Sequence, residues 1–255
     1  MIRYYCSGYD IKDPFGNGLG DMIKNELSNT NSVVYVVGSP KIPEKIEKAE
    51  NKHKKNFDES FARNGIRFEN SYIIKPNTNP EVARKWIDES SFLMLMGGDP
   101  FDQKEMCEEL GIIDNIKNYK GVMMGFSAGA MLMSKKIIIT PCSDEYPEFH
   151  IENGLNLDGI SIFPHNNTAE EEYPDVLDVG GEIYRKVDNI KVAQEYGNFY
   201  LLQDNMNDDM SFDISIIKST NGNIEYYTEN NGKIWLATSD GINLFVPEFD
   251  KRIKR

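Results

Sequence analysis

The sequence predicts an α/β fold, a mostly parallel sheet with helices on both faces. Three observations carry that expectation. Strand-like and helix-like stretches alternate from the N-terminus. The stretches at residues 33–37 and 92–96 are continuous apolar runs, as strands buried on both faces require. After about Phe199 the texture changes to short strands separated by Asn-Gly pairs, which adds antiparallel hairpins at the C-terminal end.

Each element has its own signal. A first strand at residues 3–6 precedes Leu19, Met22, Ile23 and Leu27, which recur at helical spacing. Residues 33–37 form the second strand. Residues 41–64 are long, charged and helical, with Phe57 and Phe61 four apart on one face, and Gly65 ends that helix. A strand follows at 66–74. Asn79 then caps a helix that begins with Pro80, with Val82, Trp86 and Ile87 as its inner face. The strand at 92–96 stops at Gly97-Gly98. Residues 101–118 begin as helix, and 122–124 form the strand that runs into a glycine-flanked serine. Near the C-terminus, strands at 213–218, 223–228 and 233–237 are separated by Asn221-Gly222 and Asn231-Gly232. They read as an antiparallel appendage, at about 199–240, on one domain spanning 1–255.

Composition narrows the function. The 255 residues carry a net charge of −13, which argues against nucleic acid and anionic membranes as partners, since both are held by basic surfaces. Lys52, Lys54 and Lys55 sit among acids and read as a solvated helix face. The three cysteines, Cys6, Cys107 and Cys142, fit neither a disulfide framework nor a zinc site, so no metal or other cofactor is expected. No apolar run is long enough to span a bilayer, and residues 1–8 lack a signal-peptide pattern. The expected location is the cytoplasm, the expected partner a small substrate, and the expected state a monomer or homodimer.

The segment Gly125-Phe126-Ser127-Ala128-Gly129 follows a strand and precedes a helix. In that context G-x-S-x-G is a nucleophile elbow: a turn so sharp that side chains two residues either side of the serine would collide. The hydroxyl is lifted to the carboxyl end of the sheet, and helix-start N–H groups stand ready to stabilise an oxyanion. Ser127 then needs a base, and the chain has three histidines. His53 lies in the charged helix and reads as a surface residue. His150 lies in a loop with no strand leading to it. His165 follows the strand-like stretch 160–163, and a residue just past a strand end sits where α/β active sites form. His165 is therefore the candidate base. A carboxylate must orient it. Between the two, Asp144, Glu145, Glu148, Glu152 and Asp158 are available. Only Asp144 and Glu145 follow a strand-like stretch, at 137–140, and the choice between them stays open, with Glu152 next in line. Gly98 N–H and Ala128 N–H are the candidate oxyanion donors.

Gly16-Asn17-Gly18-Leu19-Gly20 has the look of a nucleotide site. It lacks the third glycine spacing of the dinucleotide fingerprint, and no acid ends the strand at 33–37, so a turn into the first helix accounts for it.

Three segments together resemble the peptidase E and cyanophycinase family of serine peptidases. They are Gly97-Gly98-Asp99-Pro100-Phe101, the run from Gly125 to Ala130, and Gly154-Leu155-Asn156-Leu157 followed by Phe163-Pro164-His165. The resemblance covers most of the chain and is weakest after about Asn167. It implies a flavodoxin-like sheet related to class I glutamine amidotransferases, a dipeptidase or other exopeptidase acting next to aspartate, and a triad of Ser127, His165 and an acid near Asp144. It also implies substrate contacts from Asp99, Phe101 and Asn166. One departure bears on specificity. Glu170, Glu171 and Glu172 follow the histidine, with no arginine before Arg185, and this argues against a strong preference for an N-terminal aspartate. The alternatives to a peptidase are a non-catalytic ligand-binding relative of the same fold and a hydrolase of other small amides or esters.

Overall fold

The structure, a computed structural model, describes residues 1–16, 18–139, 150–167, 176–179, 182–206, 212–229, 232–244 and 251–252. Its centre is a sheet whose parallel part comprises β1 (Ile2–Cys6), β2 (Ser32–Gly38), β3 (Asn70–Ile74), β4 (Phe92–Gly98) and β5 (Val122–Phe126), flanked by helices. Across the sheet the order is β1, β5, β4, β2, β3. All neighbours in this part run parallel. The strands are apolar because both faces are covered: every residue of β2 and β5 is buried. The chain steps outward from β2 to β3 and then crosses back over β2 to β4, so the winding reverses between β2 and β4. The crevice of such a sheet opens at the carboxyl ends of strands flanking that point, here Gly38 and Gly98.

The helices between these strands are α1 (Leu19–Glu26), α2 (Pro43–Lys48), α3 (Lys54–Arg63), α4 (Pro80–Glu89), α5 (Pro100–Glu109), α6 (Ile113–Asn118) and α7 (Ala128–Met133). Asn79 caps α4 as expected, its side chain accepting from the N–H groups of Glu81 and Val82. Ala83 and Ile87 face the core, whereas Val82 lies outside it. The charged helix expected over 41–64 is interrupted by one π-turn at Ala49–His53, which joins α2 to α3. The strand expected at 66–74 is shorter because Ile66 is taken up in closing α3, its N–H bonded to Phe61 O. Residues 101–118 begin as helix, as expected, and a second helix, α6, follows after Gly111, whose φ is +61°.

The C-terminal part differs more from expectation. Asn221-Gly222 does form a hairpin turn, with φ of 52° and 86°, between strands Ser215–Thr220 and Asn223–Thr228. That hairpin is not an appendage. Strand Ser215–Thr220 pairs antiparallel with β1 and continues the central sheet. Consecutive Ile216 and Ile217 are both fully buried, as an interior strand requires. Nor does a hairpin join Asn223–Thr228 to Lys233–Thr238, because these two strands lie in different sheets. A second sheet contains Lys233–Thr238, Phe199–Gln203 and Ile162–Phe163. Phe199 and Leu201 face a small cluster with Trp235 and Val192, while Leu202 faces the main core, so strand alternation ties the two layers together. Among the described residues no helix is long and apolar enough to cross a membrane.

The elbow has no spare room. A Cβ on Gly129 would lie 2.1 Å from Leu95 O, and one on Gly125 would lie 2.5 Å from Ala130 N. Helix α7 therefore packs with its backbone directly on β4, and all six of its residues are buried. Gly129→Ala is expected to lower the unfolding free energy by about 1–3 kcal/mol or more, since strand and helix must separate. A urea titration measures this, and an unchanged midpoint would mean that α7 is not packed this way.

Candidate active site

Ser127 sits between β5 and α7 with φ 49° and ψ −113°, a conformation that non-glycine residues rarely adopt. The Ser127 N–H donates to Cys6 O on β1 at 3.1 Å, and Ser127 O accepts from Met131 N–H to open the helix. The next N–H along, that of Ala128, is the first of the helix and has no intrahelical partner. Across the crevice Gly97 is close: a Cβ there would stand 3.5 Å from Ser127 Cβ.

Two further strand ends meet the serine. Strands Ile162–Phe163 and Phe199–Gln203 are parallel neighbours, with Phe163 opposite Leu201. His165 lies two residues past the first register point and Asp204 three past the second, so the chain delivers them side by side. The Ser127 hydroxyl is 2.7 Å from His165 Nε2, and His165 Nδ1 is 2.9 Å from Asp204 Oδ2. Asp204 is 8% exposed and the imidazole 41%. His165 itself has φ 57°. In this arrangement Ser127 Oγ–H can donate to Nε2 while Nδ1–H donates to the carboxylate. The base can then take the hydroxyl proton, and the carboxylate holds the tautomer and stabilises the imidazolium.

Asp204 is held from behind. Ser215 Oγ–H donates to the carbonyl of Gln203, and the Gln203 side chain accepts from Trp235 Nε1–H at 3.1 Å. Ser7 links the same Ser215 to the end of β1. Gly8 follows, and it leaves no room for a side chain. A Cβ on Gly8 would lie 2.8 Å from Asp204 Oδ2 and 3.4 Å from His165 Cε1.

Ser127 and His165, the nucleophile and base expected from the sequence, lie within hydrogen-bond distance of each other, whereas the acid was expected between them in the chain. Asp144 and Glu145 lie outside the described residues, as do Glu148 and the run Glu170–Glu172. The carboxylate on His165 Nδ1 is Asp204. The signal that would have found it is the one used for His165: an acid directly after a strand-like run, here Phe199–Gln203. Asp158 has a different task. It accepts from Arg3, Tyr5 and Ser219 at 2.7–2.8 Å in a buried cluster. Glu152 pairs with His150 and Lys104.

The substrate contacts implied by the resemblance are placed differently. Asp99 caps α5, its Oδ1 accepting from Phe101 and Asp102 N–H. Phe101 packs edge-on against His150 at 4.5 Å. Neither lines the cavity beside Ser127. Asn166 lies in the short strand Asn166–Asn167, and its side chain is outside what the structure describes.

The cavity holds about 440 Å³, within the range of small-ligand sites. Ser127, His165 and Asp204 line it, as do Gly38, Gly97 and Gly98. Ile11, Phe57 and Met96 add apolar surface. Lys45, Lys48 and His53 line the remaining wall. Sequence reasoning missed the lysines and read His53 as a surface residue. His53 is instead half-buried in this wall, with Nδ1 2.9 Å from the Tyr9 hydroxyl.

A mostly parallel α/β sheet with a Ser–His–Asp hydrogen-bonded chain at its carboxyl edge has the architecture of a hydrolytic enzyme. The sequence model of peptidase family S51 matches residues 22–189, well over half of the chain, and the chain belongs to that family. The matched segment includes Ser127 and His165 and ends before Asp204. Two solved structures are similar in fold. A candidate peptidase E protein from Listeria monocytogenes EGD-e has a TM-score of 0.54 at 16% identity, covering 88% of this chain and 96% of its own. A peptidase from an acI-B1 Actinobacterium has a TM-score of 0.62 at 12% identity, covering 97% and 95%. No curated protein matches the chain.

Two substitutions separate site from scaffold. Gly8→Ala is expected to displace Asp204 and slow phosphonylation of Ser127 by a fluorophosphonate at least tenfold, about 1.4 kcal/mol of barrier, with little change in the urea midpoint. Asp158→Asn is expected to do the reverse. It leaves buried Arg3 without its carboxylate, which costs about 3–5 kcal/mol of stability, while the serine of the folded fraction keeps its reactivity. Equal effects of both variants on labelling would contradict this division.

Proposed function

We propose that this protein is a serine peptidase of short peptides, an exopeptidase of the dipeptidase E type. Ser127 is the nucleophile, His165 the general base and Asp204 the acid that orients it. The observation that carries this reading is the unbroken hydrogen-bonded chain from Ser127 Oγ through the imidazole to a nearly buried carboxylate, opening on a cavity of about 440 Å³. Ser127 attacks the scissile carbonyl as Nε2 takes its proton. The N–H groups of Gly98 and Ala128 stabilise the tetrahedral oxyanion. His165 then returns the proton to the leaving amine, and water hydrolyses the acyl-enzyme with the imidazole again as base. A binding module of the same fold would have no use for a serine held in strained backbone beside an imidazole.

The charge around the cavity supports acidic substrates. Glu170, Glu171 and Glu172, which with the absence of an arginine before Arg185 argue against aspartate, lie outside the described residues. Lys45 and Lys48 line the cavity and have no carboxylate partner among the described residues. Distant surface acids act across more than the Debye length of about 8 Å at physiological salt, so the net charge of −13 weighs less at the cavity than its own wall.

Ser127→Ala is expected to abolish hydrolysis while leaving the fold intact, with only residual catalysis from oxyanion stabilisation and binding. Wild-type turnover by that variant would exclude Ser127 as nucleophile. A panel of dipeptides with acidic, neutral and basic N-terminal residues tests specificity. The acidic members are expected to have the highest kcat/KM, and faster cleavage of basic members would refute the role given to Lys45 and Lys48.

A further inference from the structure

A second histidine faces the cavity from a place built to hold it. In a continuous α-helix, residues four apart drift by about 40° per step, since four residues overshoot one turn. Over Lys45, Ala49, His53 and Phe57 that drift would carry the series off one face. The π-turn at Ala49–His53 is wider and removes drift, so all four line the same cavity. Single π-turns of this kind are frequent at functional sites.

Tyr9 fixes the imidazole. Its hydroxyl lies 2.9 Å from His53 Nδ1, and as both donor and acceptor it keeps that bond whether the imidazole is neutral or protonated. The Tyr9 ring packs against Phe57 at 5.0 Å and against Phe126 at 5.1 Å, the residue before the nucleophile. Tyr9 thus ties His53 to the ring of Phe126 at the end of β5. With Nδ1 held by Tyr9, Nε2 is the nitrogen left for a ligand.

We propose that His53 is a specificity-determining residue that donates its Nε2–H to the side-chain carboxylate of an acidic N-terminal residue of the substrate, alongside Lys48, with Tyr9 as its positioning residue. The proposal rests on the peptidase reading of the site and adds a pH dependence to it. The titratable groups around His53 are Tyr9 from the segment after β1, Lys45, Lys48 and Lys52 along its own helical segment, and His165 and Asp204, which line the same cavity. In the empty site, burial first and then the ammonium groups of Lys48 and Lys52 hold the His53 imidazolium below the usual histidine value. A bound carboxylate supplies the missing opposite charge and favours the protonated form. Binding therefore takes up a proton, and by linkage the affinity for an acidic ligand rises as pH falls through the window between the empty and bound values. An uncharged side chain gains nothing from the same change. Acidification should thus tighten the binding of acidic peptides.

The test uses the full chain carrying Ser127→Ala, which holds substrate without turnover, with aspartyl-alanine and alanyl-alanine as probes. Calorimetry between pH 7.5 and 5.5 is expected to show the affinity for aspartyl-alanine rising at least about threefold relative to alanyl-alanine. Histidine NMR on the same protein is expected to show one imidazole, absent from a His53→Gln spectrum, titrating at higher pH when aspartyl-alanine is bound. Adding His53→Gln should flatten the pH dependence of the affinity ratio, and adding Tyr9→Phe should weaken it. A ratio that does not change with pH, an unmoved His53 resonance in the bound state, or no binding of aspartyl-alanine would each overturn the proposal. Wild-type cleavage of alanyl-alanine in any of those cases would leave the peptidase reading standing, whereas absence of cleavage of both dipeptides would remove it as well.

Discussion

The site depends on one steric constraint, the contact of the α7 backbone with β4 and β5 on either side of Ser127. Gly129 stands against the carbonyl of Leu95 and Gly125 against the backbone at Ala130, at separations that exclude any side chain. Because the chain turns from strand to helix within that space, Ser127 takes a backbone conformation that costs about 1–3 kcal/mol. The surrounding packing outweighs that cost: α7 is buried along its whole length, and the serine backbone is tied to β1 and to the first helical turn. The hydroxyl is fixed in direction before any ligand arrives, and the histidine need only meet it.

The meeting follows from strand polarity. Strands β1, β2, β4 and β5 are parallel, so their carboxyl ends lie on one edge, with Gly8, Gly38, Gly98 and Ser127 at or just past them. The second sheet brings two more carboxyl ends to that edge in register, and they supply His165 and Asp204. Ser215 couples the layers, bonding both to Ser7 at the end of β1 and to the carbonyl before Asp204. The glycine at position 8 is part of the same fit, since the carboxylate occupies the space its side chain would need.

Much of this was legible in the sequence. The parallel strands announce themselves as apolar runs, and Gly125 to Gly129 forecast both the elbow and the reason for its glycines. His165 was distinguishable from His53 and His150 by its place after a strand. The remainder depends on tertiary neighbours that no local pattern encodes. Ile216 and Ile217 look like any hairpin strand until β1 is found beside them. The partner of His165 comes from a strand 39 residues further on, because parallel pairing joins segments far apart in the chain. His53 lies in a sequence of lysines and acids that reads as solvent-facing. The π-turn that sets it in the cavity wall with Lys45, Ala49 and Phe57 is not announced by propensity.

The central claim is that Asp204 completes a relay with His165 and Ser127. Its most direct test compares kcat/KM for peptide hydrolysis in Asp204→Asn with Asp144→Asn and Glu145→Gln. Loss of the orienting carboxylate leaves the imidazole in the wrong tautomer, and the expected fall for Asp204→Asn is on the order of 10³–10⁴-fold, with both other variants within about threefold of wild type, under 1 kcal/mol of barrier. A large loss in Asp144→Asn or Glu145→Gln with Asp204→Asn near wild type would contradict the account.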